Sequence, residues 1–129
     1  MTTKNQPLIL AAMPDAPLAC DLSDATDTPE ERLAEYGRLF AHALIGRGRT
    51  PDGATFTFAA KAGVFEWVAD LARREAACCP FLGHEVRRDG AHVTWRFSTQ
   101  RGATADAVLD EVHDLPDRFA IQGGDPSRE

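Results

Sequence analysis

Residues 83–99, GHEVRRDGAHVTWRFST, hold the most restrictive local pattern in the chain. Two runs of alternating apolar and polar residues flank Asp89–Gly90, a dipeptide that favours a tight hairpin turn. In the second run Val93, Trp95 and Phe97 share one parity, so one face of that strand is apolar. An isolated two-stranded hairpin is at best marginally stable in water, so this face requires further strands or helices.

The rest of the chain supplies them. PLACDLS alternates Leu18, Cys20 and Leu22 against Ala19, Asp21 and Ser23, which predicts a half-buried strand with Cys20 on its apolar face. DTPEERLAEYGRLFAHALIGRG reads as a helix with Thr28 as N-cap, Pro29 at the first position and Glu30–Glu31 in the first turn. Leu33, Tyr36, Phe40 and Leu44 form its buried stripe, His42 lies opposite, and Gly46 or Gly48 ends it. GATFTFAA is a second strand with Phe56 and Phe58 inward. AGVFEWVADLARREAACC is a second helix, stopped by Pro80 because proline disfavours helical geometry in the residue before it. ATADAVLDEVHDL closes the fold as a helix with Val108, Val112 and Leu115 inward and His113 near the edge. The order β-α-β-α-β-β-α predicts an α+β domain: a mainly antiparallel sheet of about four strands with three helices packed on one face. Residues 1–7 read as a flexible start, 8–121 as a single domain and 122–129, QGGDPSRE, as a flexible tail.

Charge narrows the partners. With 14 basic and 20 acidic residues the net charge is −6, which argues against nucleic-acid or anionic-membrane binding. No apolar run approaches the roughly 20 residues that a membrane-spanning helix needs. PLILAAMPDAPLAC superficially resembles a lipoprotein signal, but Pro14, Asp15 and Pro17 break the apolar run. A cytoplasmic location follows as the expectation, with reduced thiols. Three cysteines also fit a secreted disulfide framework poorly.

EAACCPFLGH, residues 75–84, carries the chemistry. At about 100° per residue, Val64, Val68 and Leu71 define the apolar stripe of the second helix. Cys78 and Cys79 fall on either side of that stripe at the last turn, with Glu75 between them. A carboxylate so placed needs a cation, a hydrogen-bond donor or a solvent path; Arg74 is one candidate cation. His84 shares parity with Leu82 and Val86 and points inward, as does Cys20 from its strand. Cys20, Glu75, Cys78, Cys79 and His84 are therefore the candidate metal ligands. A helix C-terminus disfavours a free thiolate but favours a cation, and thiolates select soft or borderline ions. The candidate ions are zinc, Cu(I), Hg(II) and As(III).

LARREAACCPF, with CDLS upstream and the DG hairpin downstream, resembles small bacterial proteins, actinobacterial in type, that carry an E-x-x-C-C-P-F motif. Such sequences recur near or fused to metal-responsive regulators of the mercury-resistance type. The resemblance spans roughly Cys20 to Leu115 and implies a link to thiophilic metals through Glu75, Cys78 and Cys79, with Cys20 as third thiol. It implies no catalysis, and its partners would be the ion, a regulator or a second copy of the chain. The sequence has no phosphate loop, dinucleotide glycine pattern, G-x-S-x-G elbow, H-E-x-x-H or C-x-x-C motif. Two alternatives to ion binding stay open: a structural or partner-binding domain with inert buried cysteines, and a thiol redox enzyme or sensor in which Cys20 resolves the intermediate.

Overall fold

The computed structural model of the protein describes residues 6–13, 25–99 and 102–123. Along the chain run β1 (Leu8–Leu10), α1 (Pro29–Ala43), β2 (Leu44–Thr50), β3 (Gly53–Ala59), α2 (Val64–Cys78), β4 (Gly83–Asp89), β5 (His92–Ser98), α3 (Gly102–His113) and α4 (Leu115–Gly123). The strands form one antiparallel sheet in the order β1-β4-β5-β3-β2. The α+β class and the antiparallel sheet match the expectation, with five strands and four helices among the described residues where about four and three were expected.

The hairpin forms as its pattern requires. Asp89 pairs with His92, leaving Gly90 and Ala91 as the two-residue loop. Gly90 has φ +63°, and among the described residues no non-glycine residue has positive φ, the signature of a turn that needs glycine at its first central position. Its apolar parity faces the core: Val86, Val93, Trp95 and Phe97 are buried, whereas Glu85, Arg87, Thr94 and Arg96 on the other face are half-buried or exposed. Phe56 and Phe58 of β3 join the same face, and α1, α2 and Leu109 of α3 cover it.

Helix α1 starts at the expected cap. Thr28 Oγ1 accepts from the Glu31 N–H at 3.1 Å while Glu31 Oε1 accepts from the Thr28 N–H at 2.9 Å, a reciprocal capping box. The helix ends at Ala43 rather than at Gly46 or Gly48. From Leu44 the chain is extended and pairs with β3 through Thr50. Both glycines are poor helix formers, and Arg47 and Arg49 gain acidic partners on α3 and α4 only from this strand. The buried stripe is also rotated: Leu39 is fully buried, Leu33 is only half-buried, and Arg32 is inside.

Beyond the closing helix, which ends at His113, a fourth helix runs from Leu115 to Gly123 and replaces the first part of the expected tail. Pro116 is tolerated in its first turn, where the missing N–H would have no intrahelical partner. Phe119 packs edge-on against Phe40, 5.8 Å between centroids. Gly37 makes room: a Cβ there would lie 2.9 Å from the Phe119 ring. The expected strand PLACDLS, with Cys20, and residues 124–129 lie outside the described residues.

Candidate functional site

Helix α2 ends where its sequence says it should. Cys79 is the C-cap, its N–H bonded to the Glu75 carbonyl at 2.7 Å. Pro80 follows, and its carbonyl accepts from the Met13 N–H at 2.8 Å, tying the exit of β1 to the helix end. The last turn thus presents Glu75, Cys78 and Cys79 to a packed interior, with the two cysteines 5 and 2 % exposed.

One ligand atom from each of Glu75, Cys78 and Cys79 lies within 4.8 Å of the others. The two sulfurs are 3.7 Å apart, and Cys79 Sγ is 3.7 Å from Glu75 Oε1. Cys78 is a free thiol, whereas Cys79 is disulfide-bonded, in contrast to the fully reduced set expected from the sequence. Cys20 lies outside the described residues.

Glu75 meets the requirement for a compensating charge, though not through Arg74. Arg32, on α1, reaches across to Glu75 Oε2 at 3.0 Å and extends the same Nη1 to Cys78 Sγ at 3.7 Å. Its other edge grips Asp27 in a two-point contact at 2.6 and 2.8 Å. Arg74 turns the other way, to Glu35, Asp70 and Asp27, while Trp67 Nε1 donates to Glu35 at 2.7 Å. Tyr36 also hydrogen-bonds to Glu75; burial, then the carboxylate's charge, pushes its phenol well above the ordinary range.

These contacts set the acidity of the cluster. The Arg32 hydrogen bond holds the Asp27 carboxyl down at about 2, against the opposing cost of burial. Burial first, and then the charge of Glu75, push the Cys78 thiol up; Arg32 opposes both. Cys78 is therefore a protonated thiol at neutral pH until something displaces its proton.

His84 points inward as its parity predicts and is 2 % exposed, but its chemistry is directed elsewhere. Trp95 Nε1 donates to His84 Nδ1 at 3.1 Å, so the neutral ring carries its proton on Nε2. That Nε2 is buried without a partner. Burial lowers its pKa to about 4. Protonating Nδ1 would also set a donor against the indole N–H. His84 does not join the ligand group of Glu75, Cys78 and Cys79 found among the described residues.

Arg32 and Asp27 are the site residues that reading the sequence missed. A signal was present: Arg32 stands four residues before Tyr36, on the same face of α1. An arginine in an apolar stripe implies buried acidic partners.

A cleft of about 190 Å³ opens beside the cluster. Glu75 and Cys79 form part of its wall, Leu82, Phe97, Val108, Val112 and Leu115 the apolar remainder, and the exposed Glu111 and Arg118 also border it. The arrangement defines a class, an α+β domain with a buried acid–thiol cluster beside an apolar cleft. No family model, curated protein or solved structure matches the chain.

Proposed function

We propose that the protein, once reduced, binds a thiophilic metal or metalloid ion through Cys78 and Cys79, with Glu75 supporting the shell. The observation that carries this reading is the convergence of two sulfurs and one carboxylate oxygen within 4.8 Å at one helix end. Charge supports it: two thiolates join Glu75 and Asp27 around the single guanidinium of Arg32, and a doubly charged soft ion offsets most of the resulting negative charge. Deprotonation of Cys78 is the cost of binding, and ion coordination supplies it. The donor set suits ions that accept few ligands and prefer sulfur, Hg(II), Cu(I) or As(III), better than zinc, which normally takes four. We place the protein in the cytoplasm, where the thiol pool would reduce the Cys79 disulfide and produce the binding form.

The test is uptake by anaerobically reduced protein dialysed against each ion in turn, with free thiols counted before and after. Binding of one ion per chain that masks Cys78 and Cys79 is expected, with uptake lost in Cys78→Ser. Uptake unchanged in that variant contradicts the reading.

Thiol–disulfide exchange is the second reading, favoured by one observation: a free thiol 3.7 Å from a disulfide-bonded sulfur. The raised pKa of Cys78 works against it, since the thiolate is the attacking species. Slow alkylation of Cys78 by iodoacetamide at neutral pH is expected under the ion-binding reading. Fast alkylation favours exchange.

A further inference from the structure

We propose that the reduced cluster is a three-sulfur site for a trivalent metalloid, arsenic(III) or antimony(III), with Cys20 joining Cys78 and Cys79 as the third ligand. The inference rests on the ion-binding reading and names the ligand class of the same site.

The third sulfur follows from the pairing state. Cys79 is disulfide-bonded and Cys78 is a free thiol. The chain has three cysteines, so the sulfur bonded to Cys79 is that of Cys20. The described residues on either side of Cys20 lead to the same place. Seven positions before it, the Met13 N–H donates to the carbonyl of Pro80, next to Cys79, at 2.8 Å. Seven positions after it, Asp27 is gripped by Arg32, which also meets Glu75 and Cys78. Ala25 and Thr26 border a cleft of about 240 Å³ that has Cys78 in its wall. The span carrying Cys20 is thus tethered beside the cluster at both ends. Loop-closure cost grows with length, so a span this short keeps its sulfur close to the others when the disulfide opens.

Charge then selects the ion. Asp27 and Glu75 already outweigh Arg32 at the cluster. Three thiolates on a trivalent centre make a neutral complex, which leaves that balance unchanged. A divalent ion on the same three thiolates adds a negative charge to a largely buried site, which is costly, or leaves one sulfur unused. Zinc also calls for a fourth ligand, whereas Glu75 is already bonded to Arg32 and Tyr36.

The chemistry balances in two stages. A phosphine and water reduce the disulfide: the S–S bond breaks, two thiols form, and the phosphine leaves as its oxide. Arsenious acid, As(OH)3, then condenses with three thiols. Three S–H and three As–O bonds break, three As–S bonds form, and three waters leave.

The experiment has two parts. Protein oxidised with diamide, unfolded in N-ethylmaleimide and mapped by mass spectrometry is expected to yield Cys20 linked to Cys79, with Cys78 alkylated. Any other pairing overturns the assignment. Protein reduced with a phosphine and desalted under argon is then titrated separately with arsenite and antimonyl tartrate while free thiols are counted. One equivalent of either metalloid is expected to mask three thiols, and the tighter binder of the two names the element. Cys20→Ser, checked for folding by urea unfolding, should bind both metalloids about 100-fold more weakly, the scale on which one more tethered contact raises affinity. The same variant should still take up Hg(II) on two thiols. Masking of only two thiols in the wild type, or equal metalloid affinity in folded Cys20→Ser, overturns the three-sulfur site, while Hg(II) uptake that depends on Cys78 keeps the ion-binding reading. If neither a metalloid nor Hg(II) masks Cys78 and Cys79, that reading fails and this inference with it.

Discussion

Arg32 joins Asp27 to Glu75 with side-chain exposures of 6, 15 and 14 %, while Arg49 joins Asp106 to Asp110 with exposures of 21, 54 and 65 %. Both are arginines between two carboxylates, and both connect separate elements: Arg32 ties α1 to the end of α2, and Arg49 ties the edge strand β2 to α3. The surroundings separate them. Water screens the Arg49 group, so each of its pairs contributes little. The Arg32 group is largely removed from water, so each charge depends on the others, and loss of one leaves its partners uncompensated. Cys78, 3.7 Å from the same guanidinium, is drawn into that dependence. The helix α2 end is therefore held in a fixed charge arrangement, whereas the β2–α3 contact works as a surface clasp.

Removing each arginine in turn is the strongest way to break this comparison. Arg32→Ala is expected to cost about 3–5 kcal/mol in urea unfolding, because Asp27 and Glu75 lose their buried cation. A loss under about 1 kcal/mol would place the Arg32 group with the surface pairs.

Acid sharpens the contrast next. His84 has its pKa lowered to about 4, so between the ordinary value near 6.5 and pH 4 the unfolded chain binds the proton and the folded one does not. Stability is therefore intact above about pH 6.5 and falls as pH drops toward 4, by on the order of 3 kcal/mol. His84→Asn, whose side-chain oxygen can accept from Trp95 without titrating, should flatten that limb. A second loss follows at lower pH. Asp27, held at about 2 against 3.8 ordinarily, stabilises the fold fully above about pH 3.8, and that contribution disappears as pH falls through 2; it amounts to roughly 2 kcal/mol. Arg32→Ala should shrink the lower limb, leaving only the part due to Arg74, and keep the upper one. Unfolding curves at half-unit pH steps separate the two.

The smallest effect belongs to the clasp. Arg49→Ala should cost no more than about 1 kcal/mol, and the difference from wild type should shrink in 1 M salt, where the screening length is about 3 Å. The effect of Arg32→Ala should be far less sensitive to the same salt.

Local signals were the legible ones. The β4–β5 hairpin, the Thr28 N-cap, the stop of α2 at Pro80 and the convergence of Glu75 with two cysteines all arise from residues within a few positions of one another. The need of Glu75 for a partner was also legible, as a physical requirement. Its identity was not, because Arg32 lies 43 residues away and reaches Glu75 only through the packing of α1 against α2. Strand β2 was hidden because Leu44 and Ile45 continue the apolar content of α1, and only pairing with β3 decides for extension. His84 illustrates the limit of parity: it gave the correct face, but the indole of Trp95 decides which ring nitrogen remains for other chemistry.

The most direct test of the central claim is X-ray absorption at the edge of a soft ion, Hg(II) first, added at one equivalent to the anaerobically reduced protein. Two sulfur neighbours are expected in the first shell, both lost in the Cys78→Ser, Cys79→Ser double variant. A shell of oxygen and nitrogen alone, or a sulfur shell that survives in the double variant, would contradict it.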